Sequence, residues 1–113
     1  MIRLTPRERE IVGSILERRI SGLEVWAFGS RVDGNPRPFS DLDLAIVSDK
    51  PLSLSLLAEL AEDFEQSDLD FKVDLLDYGR LPPSWKARIK AHHETIAFAG
   101  ASSSGGNKGG IRS

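Results

Sequence analysis

Apolar residues recur at helical spacing in three parts of the chain. The first run follows Thr5-Pro6 and stops at Ser21-Gly22. Thr5 can cap a helix, proline suits the first helical position, and Glu8 completes a capping box. The glycine after the run suits a helix end. The same spacing predicts a second helix around 56–64, after possible serine caps, and a last helix opened by Pro82 and running to Ile96.

Three shorter apolar segments predict strands, at Leu23–Phe28, Asp41–Val47 and Asp70–Leu76. A loop rich in glycine and proline separates the first two strands. The order of elements is therefore helix, strand, turn or short helix, strand, helix, strand, helix. This order predicts an α/β (α+β) domain with helices packed on a small sheet.

The second strand carries two carboxylates, Asp41 and Asp43, within an otherwise apolar segment. Strand alternation places both side chains on one face, where like charges repel and burial raises the cost. A divalent cation bridging the pair would remove that cost, because hard cations prefer oxygen ligands. Asp41 alone could equally cap the strand, so it is the pair that points to metal binding.

The first strand ends in the small-residue turn Gly29-Ser30, which can present backbone N–H groups and a hydroxyl to a phosphate. Arg31 follows, close enough to add positive charge. Asp74 lies in the apolar third strand and is the third candidate carboxylate, although alone it could be a solvated strand position. Three carboxylates can hold two Mg²⁺ ions, so the set suggests metal-assisted chemistry on a nucleotide triphosphate. Asp74 could also accept the proton of an acceptor hydroxyl.

Composition narrows the class of protein. With 113 residues the chain has room for one core. A formal net charge of −2 gives no support for broad nucleic-acid binding. The sequence has no cysteine, which excludes a disulfide framework and a thiolate metal site, and no apolar run long enough for a membrane span. We therefore expect a cytoplasmic protein, with a folded domain at 1–99 and a flexible Gly/Ser-rich tail at 100–113.

The spacing Gly29-Ser30, ten residues, Asp41-Leu42-Asp43, with Val73-Asp74 on a later strand, resembles the minimal nucleotidyltransferases of the DNA polymerase β superfamily. The resemblance covers about residues 5–98. It implies a polymerase-β-like palm on a mixed sheet and attack by a hydroxyl on the α-phosphate of a triphosphate. By position, Gly29 and Ser30 match the triphosphate-binding pair, and the three aspartates match the catalytic ligands of two Mg²⁺ ions.

Relatives of this length are usually encoded beside a small helical partner, of the HEPN or nucleotidyltransferase substrate-binding kind. The resemblance therefore implies an antitoxin-like protein that moves AMP from ATP onto its partner, in a possible hetero-oligomer. Two alternatives stay open at this point: a transferase acting on a small hydroxyl compound, and a non-catalytic module that neutralises its partner by binding. The predicted helix from Trp85 to Ile96 is the candidate docking surface.

Overall fold

The computed structural model describes residues 4–33, 41–96 and 98, and this part of the chain forms four helices, one 3-10 turn and four strands. The elements follow the predicted order, with one strand added near the end. Their bounds are α1 Pro6–Ile20, β1 Glu24–Phe28, α2 Ser30–Asp33, β2 Leu42–Val47, α3 Leu54–Glu65, β3 Val73–Asp77, the 3-10 turn Tyr78–Arg80, α4 Pro83–Ala91 and β4 Glu94–Thr95.

Side chains cap the first turns of α1 and α3. The hydroxyl of Thr5 accepts a hydrogen bond from the Glu8 N–H at 3.1 Å, and the Glu8 carboxylate accepts from the Thr5 N–H at 2.9 Å. Ser53 caps α3 by accepting from the Leu56 N–H at 3.1 Å. Each bond satisfies an N–H group that a helix start leaves without a partner. The predicted capping box of α1 is confirmed.

The four strands form one mixed sheet in the order β3-β2-β1-β4. β1 runs antiparallel to both β2 and β4, whereas β2 and β3 are parallel and joined through α3. A parallel pair needs such a crossover connection. The sheet confirms the mixed α/β architecture, and its register aligns residues of β1, β2 and β3 that matter for the site.

Helices α1 and α3 cover one face of this sheet and enclose the hydrophobic core. Leu16 of α1, Leu44 of β2 and Leu60 of α3 are fully buried between them. The alternate residues of β1, which include Trp26 and Phe28, lie on the opposite face and stay partly exposed. One face of the sheet therefore packs against α1 and α3, and the opposite face carries the side chains of the candidate site.

The end of the domain differs from the prediction of a helix running to Ile96. Helix α4 stops at Ala91, where the N–H of His92 donates to the carbonyls of Arg88 and Ile89. The chain then forms β4 along β1, and the Ile96 N–H donates to the Val25 carbonyl at 2.8 Å. Pairing with the open edge of β1 buries Ile96 and so overrides the helical spacing.

Smaller differences concern the strand ends. β2 begins at Leu42 and β3 at Val73, so Asp41 lies just before its strand and not within it. Trp26 stacks on the His93 ring, with centroids 3.9 Å apart, on the face away from the core. No helix among the residues described is both long and apolar enough to span a bilayer. The tail predicted at 100–113 lies outside the described residues.

Candidate active site

The sheet register brings two of the three predicted aspartates side by side. Asp43 of β2 is the register partner of Asp74 on β3 and of Phe28 on β1. Side chains at paired positions of neighbouring strands point to the same face. Asp43 and Asp74 therefore share the face opposite to α1 and α3, next to the end of β1.

The carboxyl of Asp43 interacts electrostatically with both of the other predicted aspartates. Burial, the charges of Asp74 and Asp41, and a hydrogen bond with Asp74 together raise the pKa of its carboxyl from 3.8 to about 6, with burial the largest cause. Asp41 is exposed directly before β2, yet its charge reaches Asp43. Asp43 and Asp74 are thus adjacent, and Asp41 is near enough for its charge to act on Asp43. The mutual repulsion favours a proton or a cation at this position.

Lys72 joins the group, although the sequence analysis did not single it out. Its Nζ lies 3.6 Å from Oδ1 of Asp74, and both side chains are substantially exposed. Lys72 and Asp74 are two positions apart, so strand alternation places their side chains on the same face. This spacing is the only sequence signal for their contact. Because the pair is exposed, it adds little to stability, but it places a cation beside the carboxylates.

Gly29 is required by geometry on two counts. Its φ is +85°, a backbone conformation that favours glycine, and a β-carbon built there overlaps Oδ2 of Asp43. Its carbonyl accepts the Val32 N–H at 3.0 Å, which starts the short helix α2. The predicted phosphate-binding turn therefore lies directly against the central carboxylate.

Ser30 and Arg31 follow as the first residues of α2. Only the backbone of Ser30 is described, so its predicted hydroxyl contact with a phosphate stays a prediction. Arg31 is 7% exposed, and its guanidinium lies over the ring of Phe71, 4.0 Å from the centroid. Its predicted contact with a triphosphate also stays a prediction. Phe71 was not anticipated, because no local signal near it or near Arg31 predicts their contact.

The donor set fits a hard divalent cation. Carboxylate oxygens are the ligands Mg²⁺ prefers, and burial together with two acidic neighbours raises the pKa of Asp43. Among the described residues, however, no group of three or more acidic or histidine side chains is already arranged to hold an ion. The carboxylates are neighbours rather than a finished metal cage, as is common for Mg²⁺ sites that are completed by substrate phosphates.

Residues 11–98 match the family model for the polymerase beta nucleotidyltransferase domain. A probable protein adenylyltransferase, MntA from Haemophilus influenzae, is 43% identical over 89 residues, which cover 79% of this chain and 78% of that protein. The match to the family model includes the Gly29-Ser30 turn and all three aspartates.

Two solved structures share the fold. A toxin–antitoxin complex with AMP-PNP superposes with a TM-score of 0.67 at 24% identity, covering 80% of this chain and 73% of that one. A mutant of the MntA-HpeT toxin–antitoxin complex has a TM-score of 0.66 at 26% identity, with coverage of 86% and 75%. These likenesses agree with the polymerase-β-like palm that the sequence predicts.

Proposed function

The chain belongs to the polymerase beta nucleotidyltransferase family, and we propose that it moves AMP from ATP onto a hydroxyl of a helical partner protein, with Mg²⁺, as the antitoxin of a toxin–antitoxin pair. The observation that carries the reaction is the contact of the Gly29 turn with Asp43, whose carboxyl interacts with Asp74 and Asp41. A phosphate cradle against a carboxylate cluster suits transfer at a phosphorus atom.

In the proposed reaction, the backbone of Gly29 and Ser30 holds the triphosphate at the end of β1. Asp41, Asp43 and Asp74 would hold the Mg²⁺ ions, which supply positive charge for the phosphates and for the leaving pyrophosphate. The acceptor oxygen forms a bond to the α-phosphorus, and the bond from that phosphorus to the bridging oxygen breaks, so pyrophosphate leaves with the electron pair. Asp74, on the exposed side of the cluster, accepts the hydroxyl proton and passes it to water.

The acceptor is proposed from the comparisons. The relative in Haemophilus influenzae is a probable protein adenylyltransferase, and the structural neighbours are toxin–antitoxin complexes. These points support a HEPN-type or nucleotidyltransferase substrate-binding protein as the acceptor, in a hetero-oligomer. We place the reaction in the cytoplasm, where ATP is available.

Radioactive ATP distinguishes the proposed transfer from other uses of the triphosphate. The purified chain is incubated with Mg²⁺ and the helical protein encoded beside it, once with label on the α-phosphate and once on the γ-phosphate. We expect the partner to become labelled by the α-labelled ATP and not by the γ-labelled ATP, because the γ-phosphate leaves in pyrophosphate. Retention of the γ-label would mean phosphoryl transfer instead, and a stable complex with neither label would mean a binding module.

Helix α4 is the surface that we propose for partner binding. It carries Lys86, Arg88 and Lys90 and no acidic residue, and Trp85 on it is 46% exposed. The Arg88 guanidinium lies 5.8 Å from the Trp85 ring centroid. Exposed tryptophan and arginine are the residues that most often dominate protein interfaces, and the excess of positive charge favours an acidic partner surface.

We expect Trp85→Ala to weaken binding of the helical partner about 30-fold, the effect of losing about 2 kcal/mol at an interface hot spot. Isothermal titration calorimetry on the purified proteins measures this. Leu54→Ala is the matched control, because Leu54 is a large apolar residue that is 74% exposed on α3. Equal affinities for the two variants would place the interface elsewhere.

A further inference from the structure

The side chain of Arg31 is buried instead of being exposed to solvent. It is 7% exposed, whereas arginine is rarely buried without a specific partner. Its guanidinium stacks on Phe71 at 4.0 Å from the ring centroid, well inside the range of a cation–π contact. This contact joins α2, directly after the phosphate-binding turn, to the segment that enters β3.

Phe71 in turn is tied to the carboxylates. It lies three residues before Asp74. The carbonyl of the next residue, Lys72, accepts the N–H of Leu42 at 2.9 Å, and Leu42 is the residue between Asp41 and Asp43. The Phe71 segment is therefore hydrogen-bonded to the start of the strand that carries Asp43 and leads directly into the strand that carries Asp74.

Close packing does not hold the Phe71 ring on every side. The ring borders a cavity of about 390 Å³ between α3 and β3, whose lining also includes Phe64, Leu69 and Val73. On that side the Phe71 side chain borders an open, water-accessible pocket instead of closely packed protein atoms. The stacked guanidinium consequently has a share in fixing the ring, and with it the entry into β3.

We propose that Arg31 is a positioning residue, which acts through Phe71 to hold the Gly29-Ser30 turn at a set distance from the three aspartates. In this role Arg31 acts through its contact with the ring and not through a direct contact with the triphosphate. The inference rests on the proposed function only in that nucleotide and cation share this site. Its consequence is that the cation strengthens nucleotide binding through the Arg31–Phe71 contact.

The test is the coupling between Mg²⁺ and ATP, measured without any acceptor. The affinity for ATP is determined by calorimetry in EDTA and in Mg²⁺ for the wild type, Arg31→Lys and Phe71→Leu. Phe71→Tyr keeps the ring and serves as the conservative variant. Phe98→Leu is the matched control, since Phe98 packs on the same core beside α1, near Gly13.

For the wild type we expect Mg²⁺ to tighten ATP binding, because coupled ligands strengthen each other's binding reciprocally. In Arg31→Lys and Phe71→Leu we expect this gain to fall about 10-fold, while the affinity in EDTA stays unchanged. The two substitutions made together should have no larger effect than either alone. Phe71→Tyr and Phe98→Leu should keep the full gain. Where transfer is measured, kcat should fall and the KM for ATP should not change.

A different pattern overturns the inference. If Arg31→Lys weakens ATP binding equally in EDTA and in Mg²⁺ while Phe71→Leu does not, Arg31 contacts the phosphates directly. If the wild type shows no coupling, the turn and the carboxylates do not act as one site. If Phe71→Leu does not fold, the comparison of Arg31→Lys in the two buffers still decides. A chain that transfers no AMP but shows the coupling contradicts the proposed function and leaves this inference standing.

Discussion

Asp43→Asn is expected to abolish nucleotidyl transfer and, in the absence of metal, to raise the melting temperature of the protein. Transfer should fall about 100- to 1,000-fold or more, as when a group that stabilises transition-state charge is lost. The rise in melting temperature has a different cause, which is the removal of an unfavourable charge. The charged carboxylate is disfavoured in the folded state, because its burial and its acidic neighbours raise its pKa to about 6. Asparagine removes that charge and can still donate to Asp74.

The pH dependence follows from the direction of the pKa shift. Below about pH 3.8 Asp43 is protonated in both the folded and the unfolded chain, and its charge costs nothing. As the pH rises to about 6, the wild type loses stability because only the unfolded chain ionises freely. A shift of about two units corresponds to about 3 kcal/mol, which solvent screening of this half-buried group reduces to about 1–2 kcal/mol.

Thermal unfolding in EDTA at pH 7.5 measures the effect. The variant should melt about 5 °C or more above the wild type, and the difference should shrink towards pH 4. Added Mg²⁺ should stabilise the wild type by binding its folded state, and Asp43→Asn much less. Asp49→Asn, at an exposed aspartate just after β2, should melt like the wild type. A lower melting temperature for Asp43→Asn in EDTA would show that this charge is already compensated.

Gly29→Ala should reduce transfer about 100-fold while leaving the domain folded. The β-carbon would meet Oδ2 of Asp43 and push the carboxylate from its place beside Asp74. A displacement of about 1 Å at a reacting centre costs on the order of 100-fold in rate. The left-handed backbone at φ +85° adds a strain of about 1–2 kcal/mol.

Gly22→Ala separates strain from displacement. Gly22 has φ +94°, so alanine is strained there too, but its β-carbon meets no atom within 4 Å. Both variants should lose similar stability in thermal unfolding. Only Gly29→Ala should lose transfer, measured as kcat/KM for ATP. If both variants were equally inactive, strain alone would explain the effect, and the Gly29–Asp43 contact would have no catalytic meaning.

Local sequence signals predict the elements of this fold well where they are strong and uncontested. Thr5 and Glu8 act within one turn of α1, so the start of that helix depends on its neighbours in sequence alone. The carboxylates of Asp43 and Asp74 have no such local reason to sit in apolar strands, and this conflict predicts their role. The register of β2 and β3 confirms that they meet.

Long-range contacts explain what the sequence could not predict. The spacing of apolar residues from Trp85 to Ile96 is helical, but Glu94 and Thr95 form β4 by pairing with the free edge of β1. The stacking of Arg31 on Phe71 joins residues forty positions apart, and nothing near either of them indicates it. The cation-binding roles of the three aspartates and the phosphate contact of Ser30 are still predictions.

Intact-mass spectrometry of the helical partner tests the central claim most directly. The partner is incubated with ATP, Mg²⁺ and either the wild-type chain or the chain with Asp41→Asn and Asp43→Asn. The account predicts a gain of one or more AMP units with the wild type and no gain with the double variant, which should still bind the partner. An unchanged partner mass in a stable complex with the wild type, for each of the four nucleotides, would contradict it.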